Sequence, residues 1–166
     1  MKTPFAGSSV DFSQMSTLGD IARYHARERG SATALTFEGR ETGFAEFDRR
    51  ANQVANALIA EGVGKGQRIA YVGKNSDHYF ELLFGAAKMG AVMTPIGWRL
   101  APAEAAYIVE DSGAPIVFVG PEVIGHAGEV ASFWPSRLRL WPWSPAATAA
   151  HSMRTGATPP PTPIRR

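Results

Sequence analysis

Apolar residues recur every three to four positions over residues 44–59, where Phe44, Phe47, Ala51, Val54, Ala55, Leu58 and Ile59 make one stripe. Glu46, Arg49, Arg50, Asn52, Gln53 and Asn56 fall mostly away from it, so the spacing predicts an amphipathic helix. Thr42 stands as its N-cap and Gly62 as its stop. Leu18, Ile21, Ala22 and His25 share one face of an earlier helix, capped by Thr17 and ended by Gly30. Between the two, ATALTFEGRETGF (32–44) alternates weakly around Glu38-Gly39-Arg40. That pattern reads as two short strands joined by a turn at Gly39.

Further on, short apolar runs and helical stretches take turns. RIAYVG (68–73) has the length of a strand. Ser76 caps a helix that runs through Lys88. Its Tyr79, Phe80, Leu82, Leu83, Phe84, Ala86 and Ala87 make it apolar nearly all round, so it is covered on more than one side. GAVMTPI (90–96) is the next strand, and Pro95 ends it or lies beside an opening. Pro102 opens a helix, PAEAAYIVEDS, which Gly113 closes; PIVFV (115–119) follows as a buried strand. The order βαβαβ predicts right-handed crossovers on a parallel sheet. The expected fold class is α/β: a partial parallel sheet preceded by a helix and a short hairpin.

Composition narrows the chemistry. The 166 residues suffice for one domain with a real core. There is no Cys, which removes disulfides, thiolate metal sites and cysteine nucleophiles. His25, His78, His126 and His151 are scattered without metal-ligand spacing and read as ordinary histidines. MKTPFAGSSVDF has no apolar signal core, and no run reaches the roughly 20 apolar residues of a membrane helix. The expectation is a cytoplasmic protein with no membrane span. Net charge is +2, but residues 1–132 carry 12 basic and 15 acidic residues, whereas residues 133–166 carry five Arg and no acid. That tail also holds seven Pro and three of the four Trp. RLRLW (137–141) alternates, yet the flanking prolines leave little room for a strand. Disorder is expected for residues 1–16 and 133–166, around a folded body at 17–132.

The short motifs carry little chemistry. GVGKG (62–66) follows a helix and precedes a strand, the reverse of a dinucleotide-binding loop, and reads as a helix stop plus a turn. GKNS (73–76) does lie between strand and helix, but Arg68 and Asn75 stand where a phosphate loop requires Gly and Ser or Thr. The amides near Ser76 offer at most weak anion binding. No G-x-S-x-G elbow is present. Glu110 and Asp111 are adjacent, so on a helix they point about 100° apart and form no working carboxyl pair. The five Arg of the tail are too dispersed for a nucleic-acid site. Lys65, Lys74, Lys88 and Arg99 fall on separate turns and form no phosphate cradle. No catalytic, ATP-binding or metal residue is assigned, and the substrate-binding residues stay unknown.

Four collinear stretches, however, carry a resemblance. They are TLGDIARYHARERG, RETGFAEFDRRANQVANALIAEGVGKGQRIAYVGKNS, ELLFGAAKMGAVMTPIGWRL and APAEAAYIVEDSGAPIVFV. Over residues 17–123 the chain resembles the start of AMP-forming acyl-CoA synthetases, the adenylate-forming superfamily. The third stretch is similar to the family's usual F-G-A-x-K-x-G-A-V-x-x-P-[IL]-[NG]-x-R-L. It departs at Gly97-Trp98, and the second departs at Gly43-Phe44. The resemblance implies the first part of the large N-terminal domain of such a ligase. Full-length members use ATP and Mg²⁺ to make an acyl-adenylate from a carboxylic acid, fatty or related, and pass the acyl group to coenzyme A. The family's Ser/Thr/Gly phosphate loop, its acidic nucleotide motifs and its C-terminal domain with the catalytic Lys have no counterpart in this chain. The resemblance therefore implies an inactive fragment with none of these cofactors bound. The acid-free tail has the composition of a GC-rich gene read out of frame, and we read it as a frameshift near residue 133. The alternative is a small non-catalytic interaction module with a basic tail.

Overall fold

A computed structural model describes residues 10–123 and 139–142; the disorder expected at 1–9 and the rest of 133–166, the frameshift point, His126 and His151 lie outside the described residues. Helix α1 spans Leu18–Arg29 and is followed by the antiparallel hairpin β1 (Thr33–Phe37) and β2 (Arg40–Gly43). Then come α2 (Phe44–Ala60), β3 (Arg68–Val72), α3 (Asp77–Met89), β4 (Val92–Ile96), α4 (Pro102–Ser112) and β5 (Ile116–Val119). Strand β6 (Arg139–Pro142) completes a parallel sheet of order β4-β3-β5-β6.

Punctuation in the sequence fixes most of these boundaries. Asp20 accepts the backbone N–H of Thr17 at 3.0 Å, closing the start of α1. Ser76 Oγ accepts the N–H of Tyr79 at 3.2 Å, capping α3. Gly90 and Gly113 take left-handed backbone at the ends of α3 and α4. The hairpin turns on Glu38 and Gly39, with φ of 48° and 77°. Two successive positive φ values match the twist of the strands they join.

Three expectations are corrected. Thr42 does not cap α2; it pairs with Leu35 inside the hairpin and is buried, and Gly43 occupies the cap position. Residues 10–16 are not all disordered: Phe12–Gln14 form a 3-10 turn, because Asp11 accepts from Ser13 N–H at 3.0 Å while its own N–H donates to Tyr24 Oη at 3.0 Å. Residues 139–142 form a strand despite the prolines. Among the described residues this is the outermost strand of the sheet and Pro142 its last residue, positions at which a strand tolerates proline. The sheet thus continues past residue 132.

The sheet is covered on both faces. Ile69, Tyr71, Met93, Ile116 and Phe118 pack with Val54, Leu58, Leu82 and Ala86 of α2 and α3. Ala70, Val72, Ile96, Val117 and Val119 pack with Ala105, Ala106 and Val109 of α4. This alternation along β3 and β5 explains why both strands read as continuous apolar runs. The α2–α3 seam also buries charge. Lys88 Nζ lies 2.6 Å from Asp48, and Arg50 lies 2.9 Å from the buried Glu81; Arg40 of the hairpin lies 3.1 Å from Asp77, buried at the start of α3.

Candidate functional site

The crossovers determine where a ligand can enter. From β3 the chain passes through α3, on one face of the sheet, to the neighbouring β4. From β4 it passes back through α4, on the other face, to β5 on the far side of β3. The connections leaving β3 and β4 therefore diverge at their C-terminal ends. Such a reversal opens a crevice at the edge of a parallel sheet, the usual ligand position in open α/β folds.

A cavity of about 350 Å³ lies at this place, lined by Tyr71, Gly73, Lys74, Asn75 and Tyr79 on one side and Pro95, Ile96, Gly97 and Trp98 on the other. Trp98 is its most exposed aromatic wall. Lys74 Nζ lies 4.8 Å from the indole centroid, and the Arg99 guanidinium lies 4.5 Å from it. Both cations are held by the electron-rich ring. Among the described residues, neither forms an ion pair with a carboxylate. An aromatic face with two available cations suits an anionic ligand that carries a flat group.

Polar contacts order one side of the cavity. Tyr71 Oη donates to the Lys74 carbonyl at 2.8 Å. Burial, assisted by the Glu122 carboxylate, raises the Tyr71 phenol to about 12, so it stays protonated and keeps donating. The Lys74 N–H donates to Glu122, which lies in the turn after β5. Nearby, His78 Nδ1 lies 3.2 Å from Glu81, and this hydrogen bond holds the imidazole above its ordinary pKa against the effect of burial.

The sequence-derived candidates separate clearly. GVGKG (62–66) lies before β3, at the opposite end of the sheet, where Lys65 covers Gly90 and Gly66 N–H donates to Gly90 O at 2.8 Å. It is a turn, as its order predicts. Lys88 is buried against Asp48 and unavailable to a ligand. Glu110 and Asp111 are exposed on α4. Lys74 and Arg99, which sequence spacing sets on separate turns, instead both lie against the Trp98 ring. The signal for that meeting was available: GKNS and GWRL each follow a strand, and neighbouring parallel strands bring such loops together.

His25 is buried in α1, 4.9 Å from Phe44, and burial lowers its pKa. Among the described residues no group of three or more His, Cys, Asp or Glu could hold a metal ion. Among the same residues no helix is long and apolar enough to cross a membrane.

The chain is similar in sequence and structure to known proteins. Residues 22–152 match the family described as AMP-binding enzyme, a span that runs past the limit at residue 132 drawn from the residues alone. A fatty acid–[acyl-carrier-protein] ligase of Streptomyces coeruleorubidus is 40% identical over 109 residues, 66% of this chain and 21% of that protein. A feruloyl-CoA synthase of an Amycolatopsis species is 39% identical over 121 residues, 73% of this chain and 24% of that protein. The chain thus spans about a fifth to a quarter of the length of these curated relatives. Among solved structures, the N-terminal domain of FACL13 from Mycobacterium tuberculosis superposes with a TM-score of 0.75 at 30% identity, covering 89% of this chain and 38% of that one.

Proposed function

The chain belongs to the AMP-binding enzyme family, and from that membership we propose that it is the N-terminal part of an ATP-dependent, AMP-forming acyl-CoA ligase. The observation that carries this reading is the cleft between β3 and β4, set at the ligand-binding edge of the sheet within the matched region. Trp98 offers a flat face, and Lys74 and Arg99 offer the cations that a purine bearing phosphates requires. On this reading the cleft is one wall of a larger site. A single wall open to solvent holds ATP or coenzyme A in the millimolar range, and no cofactor is retained through purification.

The chain's own residues bind and orient; no proton transfer or group transfer is assigned to them. Adenylation requires a cradle for three phosphates and stabilisation of charge at phosphorus. Two cations on one indole do not provide it, so the chain alone is inactive. The protein is cytoplasmic on this reading, with small molecules rather than nucleic acid as its partners.

The test is acid-dependent ATP–pyrophosphate exchange by the purified chain across a panel of fatty and aryl acids. The expected result is exchange no faster than the protein-free background. Exchange that depends on one of the acids would overturn the inactivity.

A further inference from the structure

We infer that Glu122 and Tyr71 form a two-point clamp on the backbone of Lys74, and that this clamp positions the ammonium over Trp98 at the cleft. The clamp joins three strands. Tyr71 comes from β3, Glu122 from the turn after β5, and Trp98 from the end of β4. Tyr71 Oη fixes the Lys74 carbonyl at 2.8 Å, and the Glu122 carboxylate accepts the Lys74 N–H. With both backbone groups held, the direction in which the side chain leaves the backbone is set toward the indole, whose centroid lies 4.8 Å from Nζ.

The surroundings are shaped to admit the clamp. A Cβ on Gly73 would lie 2.6 Å from Tyr71 Oη and 3.0 Å from Glu122 Oε1, and one on Gly120 would lie 2.7 Å from Glu122 Oε1. Only glycine at both positions leaves room for the carboxylate and the phenol to reach Lys74. Glu122 therefore takes up the free amide at the start of the β3–α3 connection. That amide is withdrawn from ligand binding, and the anion-binding capacity of the loop passes to the Lys74 side chain. Glu122 and Tyr71 are positioning residues; neither needs to touch a ligand.

The affinity part of this inference rests on the ligand reading above, whereas the clamp itself does not. Proton NMR of the full chain separates them. In the wild type, the Lys74 ε-methylene protons shift upfield through the ring current of Trp98, a shift that Trp98→Leu removes. Tyr71→Phe and Glu122→Ala each reduce the upfield shift. Glu122→Gln keeps an acceptor oxygen, so it keeps the upfield shift that Tyr71→Phe, with no hydroxyl to hold the carbonyl, loses in part. That contrast is one that general destabilisation would not produce, and it survives if the alanine variant fails to fold. An unchanged Lys74 shift in folded Tyr71→Phe and Glu122→Ala, or a shift lost in folded Glu122→Gln, overturns the clamp. In a parallel titration with ATP, Glu122→Ala binds about fivefold more weakly than the wild type, as expected for loss of one positioned contact. Absence of ATP binding by the wild type overturns the ligand reading, while the proton shifts decide the clamp separately.

Discussion

Gly85 sits in the middle of α3 where that helix meets α2, and replacing it with alanine tests the packing that organises the whole body. A Cβ built there lies 2.5 Å from both Cβ and Cγ1 of Val54 and 2.9 Å from the carbonyl oxygen of Ala51. Non-bonded carbons rest about 3.5–4.0 Å apart, so α2 and α3 must separate by about 1 Å. Val54 Cβ and Ala51 O are fixed to backbone and cannot rotate away. The separation loosens the contacts of Val54, Leu58, Leu82 and Ala86 together. Overpacking of this kind costs about 1–3 kcal/mol, and the fixed atoms place Gly85→Ala near the top of that range. Helix propensity acts in the opposite direction by about 1 kcal/mol. The net loss is about 1–2 kcal/mol. Urea denaturation followed by circular dichroism checks it: the midpoint falls while the slope is unchanged. Adding Val54→Ala to Gly85→Ala removes the Cγ1 clash, so the double variant loses less than the sum of the two single changes. A Gly85→Ala midpoint at or above the wild type, or strict additivity, would refute the close approach of the two helices.

The remaining predictions concern charge and turn chemistry. Asp48→Ala leaves the buried Lys88 ammonium unpaired and costs about 3–5 kcal/mol, most of it recovered when Lys88→Met is added, as read from denaturation midpoints. His78 has a folded pKa above its unfolded value, because Glu81 accepts its hydrogen bond. Its contribution to stability is therefore full below about pH 6.5 and lost as pH rises through the folded pKa. The stability difference between wild type and His78→Gln should shrink over that rise; a difference constant across it would contradict the assignment. Glu38 has a φ of 48°, a left-handed conformation that disfavours its side chain. Glu38→Asn raises stability by about 0.5–1 kcal/mol, because asparagine tolerates that conformation in a two-residue hairpin turn. The exposed pair it gives up, Glu38 with Arg40 at 3.7 Å, contributes little.

Much of the fold was legible because local signals and burial agree. Ser76, Pro102 and Gly113 mark helix ends in the sequence and do so in the structure, whereas Gly90, read as the start of a strand, caps the end of α3. Thr42 failed as a cap because two local preferences competed, and pairing with Leu35 in the hairpin prevailed over capping the helix. Residues 139–142 were misread because a proline penalty depends on whether a strand lies inside a sheet or at its edge, and sequence alone does not say which. The cleft was the least legible feature. Its cations, Lys74 and Arg99, are brought together by the order of strands β4 and β3, not by proximity in the chain. Glu122 reaches Lys74 over a still longer separation, and no short motif records it.

The central claim is that this chain supplies the corresponding wall of an AMP-forming ligase. A chimera tests it most directly: residues 17–123 replace the matching segment of the Amycolatopsis feruloyl-CoA synthase, the relative 39% identical over 121 residues. ATP–pyrophosphate exchange is then measured with that enzyme's own acid. Acid-dependent exchange by the chimera is expected, diminished when Lys74 and Arg99 are both replaced by alanine. A chimera that folds as the parent does yet shows no exchange above background would contradict it.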